Sequence, residues 1–263
     1  MSERLPSAGG VPAIRFRGVT KRYRLSRLHV FGLKHALLHL PQYVRGALRS
    51  EEFTALSDVT FDVRAGESLG VIGRNGSGKS TTLGLIAGVL RPTTGEVAAH
   101  GRICPLLELG AGFHYDLTGR ENITLNGVLL GLTRAEVARR ADAIIEFSGL
   151  AEFIDRPLRV YSSGMIARLG FSVAVHLEPD ILLVDEVLAV GDADFQAKCM
   201  ARMEEFRRRG VTIVFVSHNL EAVKRICSRV VLLDAGRVVF DGSAADAIAA
   251  YAGLAARPAP QSR

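Results

Sequence analysis

The sequence predicts an α/β fold built on a mostly parallel central sheet, and three observations carry it. Strand-like apolar runs alternate with helical stretches. Three runs, at 68–72, 181–184 and 211–216, are nearly continuous in apolar residues, as strands covered on both faces are. A glycine-rich turn from Gly73 to Ser80 then joins the first of these runs to a helix. Strands are expected at 13–17, 59–64, 68–72, 181–185, 211–216 and 229–234. Helices are expected at 79–89, 194–209, 219–226 and 243–252. From Gly119 to Leu177 the period becomes helix after helix, at 120–130, 134–148 and 163–177. A helical subdomain over about 112–178 therefore projects from the sheet. Residues 1–12 and 253–263, rich in Pro, Gly, Ala and Ser, read as flexible tails around one composite domain at 13–252.

A chain of 263 residues, 48% hydrophobic, is long enough to bury a substantial core. Its three cysteines, Cys104, Cys199 and Cys227, are far apart and lack C-x-x-C spacing, which points to neither a disulfide framework nor a zinc site. No signal-peptide pattern opens the chain and no apolar run is long enough to span a bilayer, so the expectation is a soluble protein. The net charge of +6 is unevenly distributed: of 33 Lys and Arg residues ten fall between Arg4 and Ser50 with no Asp or Glu, leaving 23 against 27 acidic residues elsewhere. Such a leader suits a membrane surface, an acidic substrate or nucleic acid, or is an arginine-rich solvated face.

Gly73-Arg74-Asn75-Gly76-Ser77-Gly78-Lys79-Ser80, followed by Thr81, is a G-x-x-x-x-G-K-S phosphate loop between a strand and a helix. Gly76 and Gly78 let successive backbone N–H groups turn inward around a phosphate. Lys79 reaches the terminal phosphates, Ser80 ligates Mg²⁺, and the helix start points its positive dipole end at the anion. Ile181 to Glu186 supplies the second element: a buried strand ending in Asp185, to hold Mg²⁺ through water, then Glu186 to polarise an attacking water. His218 follows another apolar strand, as a γ-phosphate contact or a structural histidine. The ordered series implies a nucleoside triphosphatase.

Tyr161-Ser162-Ser163-Gly164-Met165 occupies a helix start, where Ser163 and Gly164 make an anion site without a bulky side chain. With these strings the chain, over about 13–252, resembles the nucleotide-binding subunits of ATP-binding-cassette (ABC) transporters. The segment 161–165 stands where that superfamily carries L-S-G-G-Q, with Tyr for Leu and Met for Gln. Those departures, with Leu107 to Phe113, Leu117 to Ile123 and Asp185 to Asp192, are similar to exporters of O-antigen, capsule and teichoic acid. The resemblance implies the cassette ATPase fold, with an N-terminal antiparallel β element and a helical subdomain. It also implies ATP and Mg²⁺ as cofactors. Two chains would form a homodimer around two nucleotides, each completing the other's pocket through Ser162, Ser163, Gly164 and Met165 with Asp192 bridging. Partners would be a separate transmembrane permease dimer and a lipid-pyrophosphate-linked polysaccharide, at the cytoplasmic face of a bacterial inner membrane. The usual metal-sensing glutamine is absent, and Glu108 is the nearest candidate. Tyr23, in Val-Thr-Lys-Arg-Tyr, is the expected flat partner for adenine or a sheet-edge core residue.

Between Leu25 and Glu51 lies an insertion whose Val30, Phe31, Leu33, Leu37, Leu38 and Leu40 form an apolar helical face, interleaved with Lys34, His35 and His39 and stopped by Pro41. In the resembled exporters such a helix sits near the pyrophosphate-linked carrier, which makes Arg27, Lys34 and Arg45 candidate anion contacts. The other reading is a soluble cassette ATPase acting on nucleic acid through Arg4 to Arg49. Ending at Arg263, the chain is expected to lack a C-terminal carbohydrate-binding domain.

Overall fold

The computed structural model describes residues 11–25, 51–106, 110–185 and 191–255. Glu108, Glu186 and the insertion at 26–50, with its Arg27, Lys34, His35, His39 and Arg45, lie outside the described residues.

Nine strands are described: β1 (Ile14–Leu25), β2 (Glu51–Val63), β3 (Ser68–Gly73), β4 (Thr94–Ala99), β5 (Ile103–Leu106), β6 (Ile181–Asp185), β7 (Thr212–Val216), β8 (Arg229–Asp234) and β9 (Arg237–Ser243). The α-helices are α1 (Lys79–Ile86), α2 (Gly119–Leu129), α3 (Arg134–Ser148), α4 (Ser163–Ala174), α5 (Ala193–Arg208), α6 (Leu220–Ile226) and α7 (Ala244–Ala255). The strands form a three-stranded antiparallel sheet, β2-β1-β4, and a six-stranded sheet, β5-β6-β7-β3-β8-β9, parallel except for the β8–β9 hairpin.

The apolar runs of β6, β7 and β8 are explained by two cores, one on each face of the larger sheet. Leu182, Val184, Ile213, Phe215, Val230 and Leu232 pack against the helices. Their strand neighbours Ile181, Leu183, Val214, Val216, Val231 and Leu233 meet the antiparallel sheet and α1. Because side chains alternate along a strand, both faces must be apolar for both cores to close. On the second side Phe16 and Phe61 stack with centroids 4.5 Å apart.

Several boundaries and three strands differ from the sequence expectation. β1 does not stop at residue 17: Gly18 (φ 56) sits at a register shift, and the strand resumes beyond it to Leu25. β2 likewise begins at Glu51, well before residue 59. β4 has no buried residue and so no apolar alternation to read. β5 contains Pro105, tolerated because β5 is an edge strand. β9, the opposite edge, alternates only between half-buried and exposed positions. α1 ends at Ile86, before Gly88 (φ 73), and α4 ends at Ala174 rather than 177.

α2 and α3 open on capping boxes, Thr118 with Glu121 and Thr133 with Glu136, in which hydroxyl and carboxylate reciprocally satisfy orphan N–H groups. They pack with α4 in the stretch that reads as helix after helix.

Candidate functional site

The carboxyl ends of three adjacent parallel strands build the site. Val71 of β3 pairs with Val216 of β7, and Val216 pairs in turn with Asp185 at the end of β6. The phosphate loop leaving β3, the Asp185 carboxylate and His218 just past β7 therefore converge at one sheet edge, where open α/β sheets bind ligands. They line a cavity of about 650 Å³ formed by Phe53, Ala55, Asn75, Gly76, Gly78, Lys79, Ser80, Thr81, Asp185 and His218.

Local chemistry shapes the loop for an anion. Gly78 caps α1 with φ 104, and a Cβ there would lie 2.7 Å from the Ala55 carbonyl oxygen, so only glycine fits. Unlike α2 and α3, α1 has neither a side-chain cap nor an acidic residue in its first turn. Its positive end is left for a ligand. Lys79 is buried, and its Nζ donates to the carbonyl oxygens of Gly73 at 2.8 Å and Arg74 at 3.0 Å. These bonds hold the ammonium under the loop. Ser77 is 2% exposed, and its Oγ is a buried polar atom without a hydrogen-bond partner. The loop is braced from behind: Gly236 N donates to Ser77 O at 3.2 Å, and Ser57 N donates to Gly236 O at 2.8 Å. Uncapped helix, buried lysine and open cavity together fit a polyphosphate.

The donor set also fits Mg²⁺. Ser80 and Asp185 face the same cavity, while among the described residues no group of three or more His, Cys, Asp or Glu side chains could hold a metal. One hydroxyl and one carboxylate suit an ion that keeps waters and takes its remaining ligands from substrate phosphates. Glu186 and Glu108 lie outside the described residues.

Tyr23 does not line the cavity; its hydroxyl lies 3.5 Å from Thr81 Oγ1, with Lys21 Nζ 5.0 Å from its ring centroid. The lining aromatic is Phe53, the cross-strand partner of Tyr23 and 47% exposed. Sequence reasoning missed Phe53 because nothing in Glu-Glu-Phe-Thr marks it; only the β1–β2 register puts it opposite Tyr23. Gly73, Arg74 and Ser77 form the loop's frame rather than the cavity wall.

Ser162, Ser163, Gly164, Met165 and Asp192 do not line the cavity. Ser162 caps α4, its Oγ accepting from Met165 N at 3.2 Å, which leaves Ser163 exposed at the helix start. A Cβ on Gly164 would meet nothing nearer than Ser162 Oγ at 3.8 Å, so its own chain does not require a glycine there. Asp192 caps α5 through Oδ1, accepting from Phe195 N at 2.9 Å.

Comparison with known proteins bears on the family and the fold. The family model described as "ABC transporter" matches residues 56–189. The chain is 55% identical over 240 residues to the O-antigen export system ATP-binding protein RfbB of Klebsiella pneumoniae, covering 91% of this chain and 97% of that protein. It is 40% identical over 238 residues to the teichoic acids export ATP-binding protein TagH of Lactiplantibacillus plantarum, covering 90% of this chain and 64% of the relative. A solved dimeric ATP-binding cassette in a post-hydrolysis state, bound to ADP and Pi, superposes with a TM-score of 0.69 at 22% identity, covering 88% of this chain and 98% of the other. At that identity the likeness concerns the fold.

Proposed function

The chain belongs to the ABC transporter family, and from that premise we propose that it is the ATP-hydrolysing nucleotide-binding subunit of a two-component exporter of lipid-linked polysaccharide. The substrate class is that of O-antigen, capsule or teichoic acid, moved across the cytoplasmic membrane through a separate permease dimer. The observation that carries the reading is the convergence of Lys79, Ser80, Asp185 and His218 on one cavity, in a chain closely related to an O-antigen export ATPase.

In this reading backbone N–H groups of 75–80 and the Lys79 ammonium grip the β- and γ-phosphates, and Ser80 with Asp185 would hold Mg²⁺. Held there, Mg²⁺ would supply positive charge beside the phosphate oxygens. Glu186 accepts a proton from the attacking water, and His218 contacts the γ-phosphate from the opposite wall. Ser163 and Gly164 present the α4 N-terminus to the nucleotide of a second copy, in a two-fold dimer with two composite sites. Closing that dimer on ATP and reopening it after hydrolysis would reset the permease. The chain works at the cytoplasmic face of the membrane through its permease; among the described residues no helix is long and apolar enough to cross a bilayer. The nucleic-acid reading finds no support among these relatives.

Glu186→Gln tests the chemistry. ATP should still bind, turnover should fall at least about 100-fold, and an ATP-containing dimer should accumulate in sedimentation. A permease should co-purify with the native chain. Near-normal turnover in this variant removes Glu186 from the role of base.

A further inference from the structure

Arg168 ties together the two parts of the chain that the proposed dimer presents to its partner. It lies on α4, five residues beyond Ser163, and is three-quarters buried. Its Nε donates to the Ser148 carbonyl oxygen at 3.0 Å, at the end of α3. The guanidinium carbon stands 5.0 Å from the ring centroid of Phe195 in the first turn of α5. Nη1 is 3.6 Å from Asp192 Oδ2. The space is tight: a Cβ on Gly149 would come within 2.6 Å of Nη2.

The two oxygens of Asp192 thus have separate tasks, Oδ1 capping α5 and Oδ2 facing Arg168. At 3.6 Å, with the carboxylate side mostly exposed, the pair adds little to stability. Its consequence is geometric, because a planar guanidinium fixed by a carbonyl and an aromatic face has one orientation to offer. We propose that Arg168 is a positioning residue that holds the Asp192 loop in register with the α4 N-terminus, so that Ser163, Gly164 and Asp192 engage the partner's nucleotide site as one rigid unit. This rests on the dimeric reading above. Arg168 is absent from the lining of its own chain's cavity, so nucleotide binding by one protomer does not depend on it.

The test is steady-state ATPase of the full chain with Arg168→Met, Arg168→Lys, Asp192→Asn and the Arg168→Met/Asp192→Asn double variant. Each is checked for folding by thermal melting. For Arg168→Met we expect kcat to fall about tenfold or more with the KM for ATP within about twofold, the sign that transition-state stabilisation is lost while ground-state nucleotide binding is kept. Arg168→Lys should recover part of the loss, and Asp192→Asn should add little in the Met background because both changes break one link. A folded Arg168→Met with wild-type kcat, a loss confined to KM, or independent multiplicative losses would overturn the proposal. If Arg168→Met does not fold, Arg168→Lys and Asp192→Asn with their double variant decide by the same criteria. Wild-type turnover per chain is followed against protein concentration in parallel. A rise with concentration alongside indifferent Arg168 variants overturns this inference alone, whereas a flat profile removes the dimeric reading and this inference with it.

Discussion

The Tyr161 hydroxyl donates a 2.7 Å hydrogen bond to the carbonyl oxygen of Phe153. The bond gives this hydroxyl a partner inside the protomer. Tyr161 is buried, its pKa raised first by burial and then by the Asp155 charge, so it remains a protonated donor. It fastens the start of α4 to the turn after α3, and it occupies the space that a side chain on Gly119 would need.

Tyr161→Phe should therefore keep the packing and lose the bond, leaving the Phe153 carbonyl without that donor. The expected cost is about 1 kcal/mol, or a melting temperature lower by about 2–4 °C. Gly119→Ala should cost more, because its Cβ collides with the Tyr161 hydroxyl and with Ile154. Thermal unfolding checks both, and an unchanged melting point for Tyr161→Phe would make the bond incidental.

What could be read in the sequence divides along physical lines. The phosphate loop, Asp185 and His218 were legible because each follows a strand buried on both faces, whose apolar run is unmistakable. α3 was legible to the residue because Thr133 and Glu136 start it and Gly149, at φ 65, ends it. Edge strands β4, β5 and β9 were not, since a strand buried on one side or neither has little apolar signature. Phe53 was invisible for a related reason: its role depends on a pairing between strands 30 residues apart, which no local pattern encodes.

Phe53 should contribute to nucleotide affinity through the base alone. Phe53→Ala is expected to weaken ATP about tenfold, within the range of base–aromatic stacking, with little change in affinity for inorganic tripolyphosphate. Tyr23→Ala should have a smaller effect, exerted through the neighbouring Thr81. Competition binding with a fluorescent ATP analogue distinguishes them. Equal losses for ATP and tripolyphosphate in Phe53→Ala would mean that the pocket, not the stack, is damaged.

The three thiols should be silent in the native protein. Cys104, Cys199 and Cys227 are buried, and burial pushes each pKa up to about 12, so at pH 8 each stays a protonated thiol out of reach of reagent. Titration with a chromogenic disulfide at pH 8 should show no rapid reaction before denaturant and three equivalents after it. Raising the pH from 7 to 9 should not speed the native reaction appreciably, because the thiolate fraction remains small throughout. Rapid stoichiometric labelling of any one of them would show that its surroundings open readily.

Gly164→Ala separates what the chain needs for itself from what it needs for a second copy. Within the protomer the new methyl has room, since the nearest atom to it is Ser162 Oγ at 3.8 Å. Alanine is the better helix former, so the variant should melt at or slightly above the wild-type temperature. Its nucleotide affinity as a monomer should be unchanged, because Gly164 does not line the cavity holding Lys79. Turnover, however, should fall at least about tenfold if a phosphate must approach the α4 N-terminus as closely as hydrogen bonding to its N–H groups requires. A variant that is equally stable, equally able to bind ATP and yet inactive would assign the glycine to the interface. One that keeps full turnover would show that no partner nucleotide comes near Gly164, and the composite site would have to be abandoned.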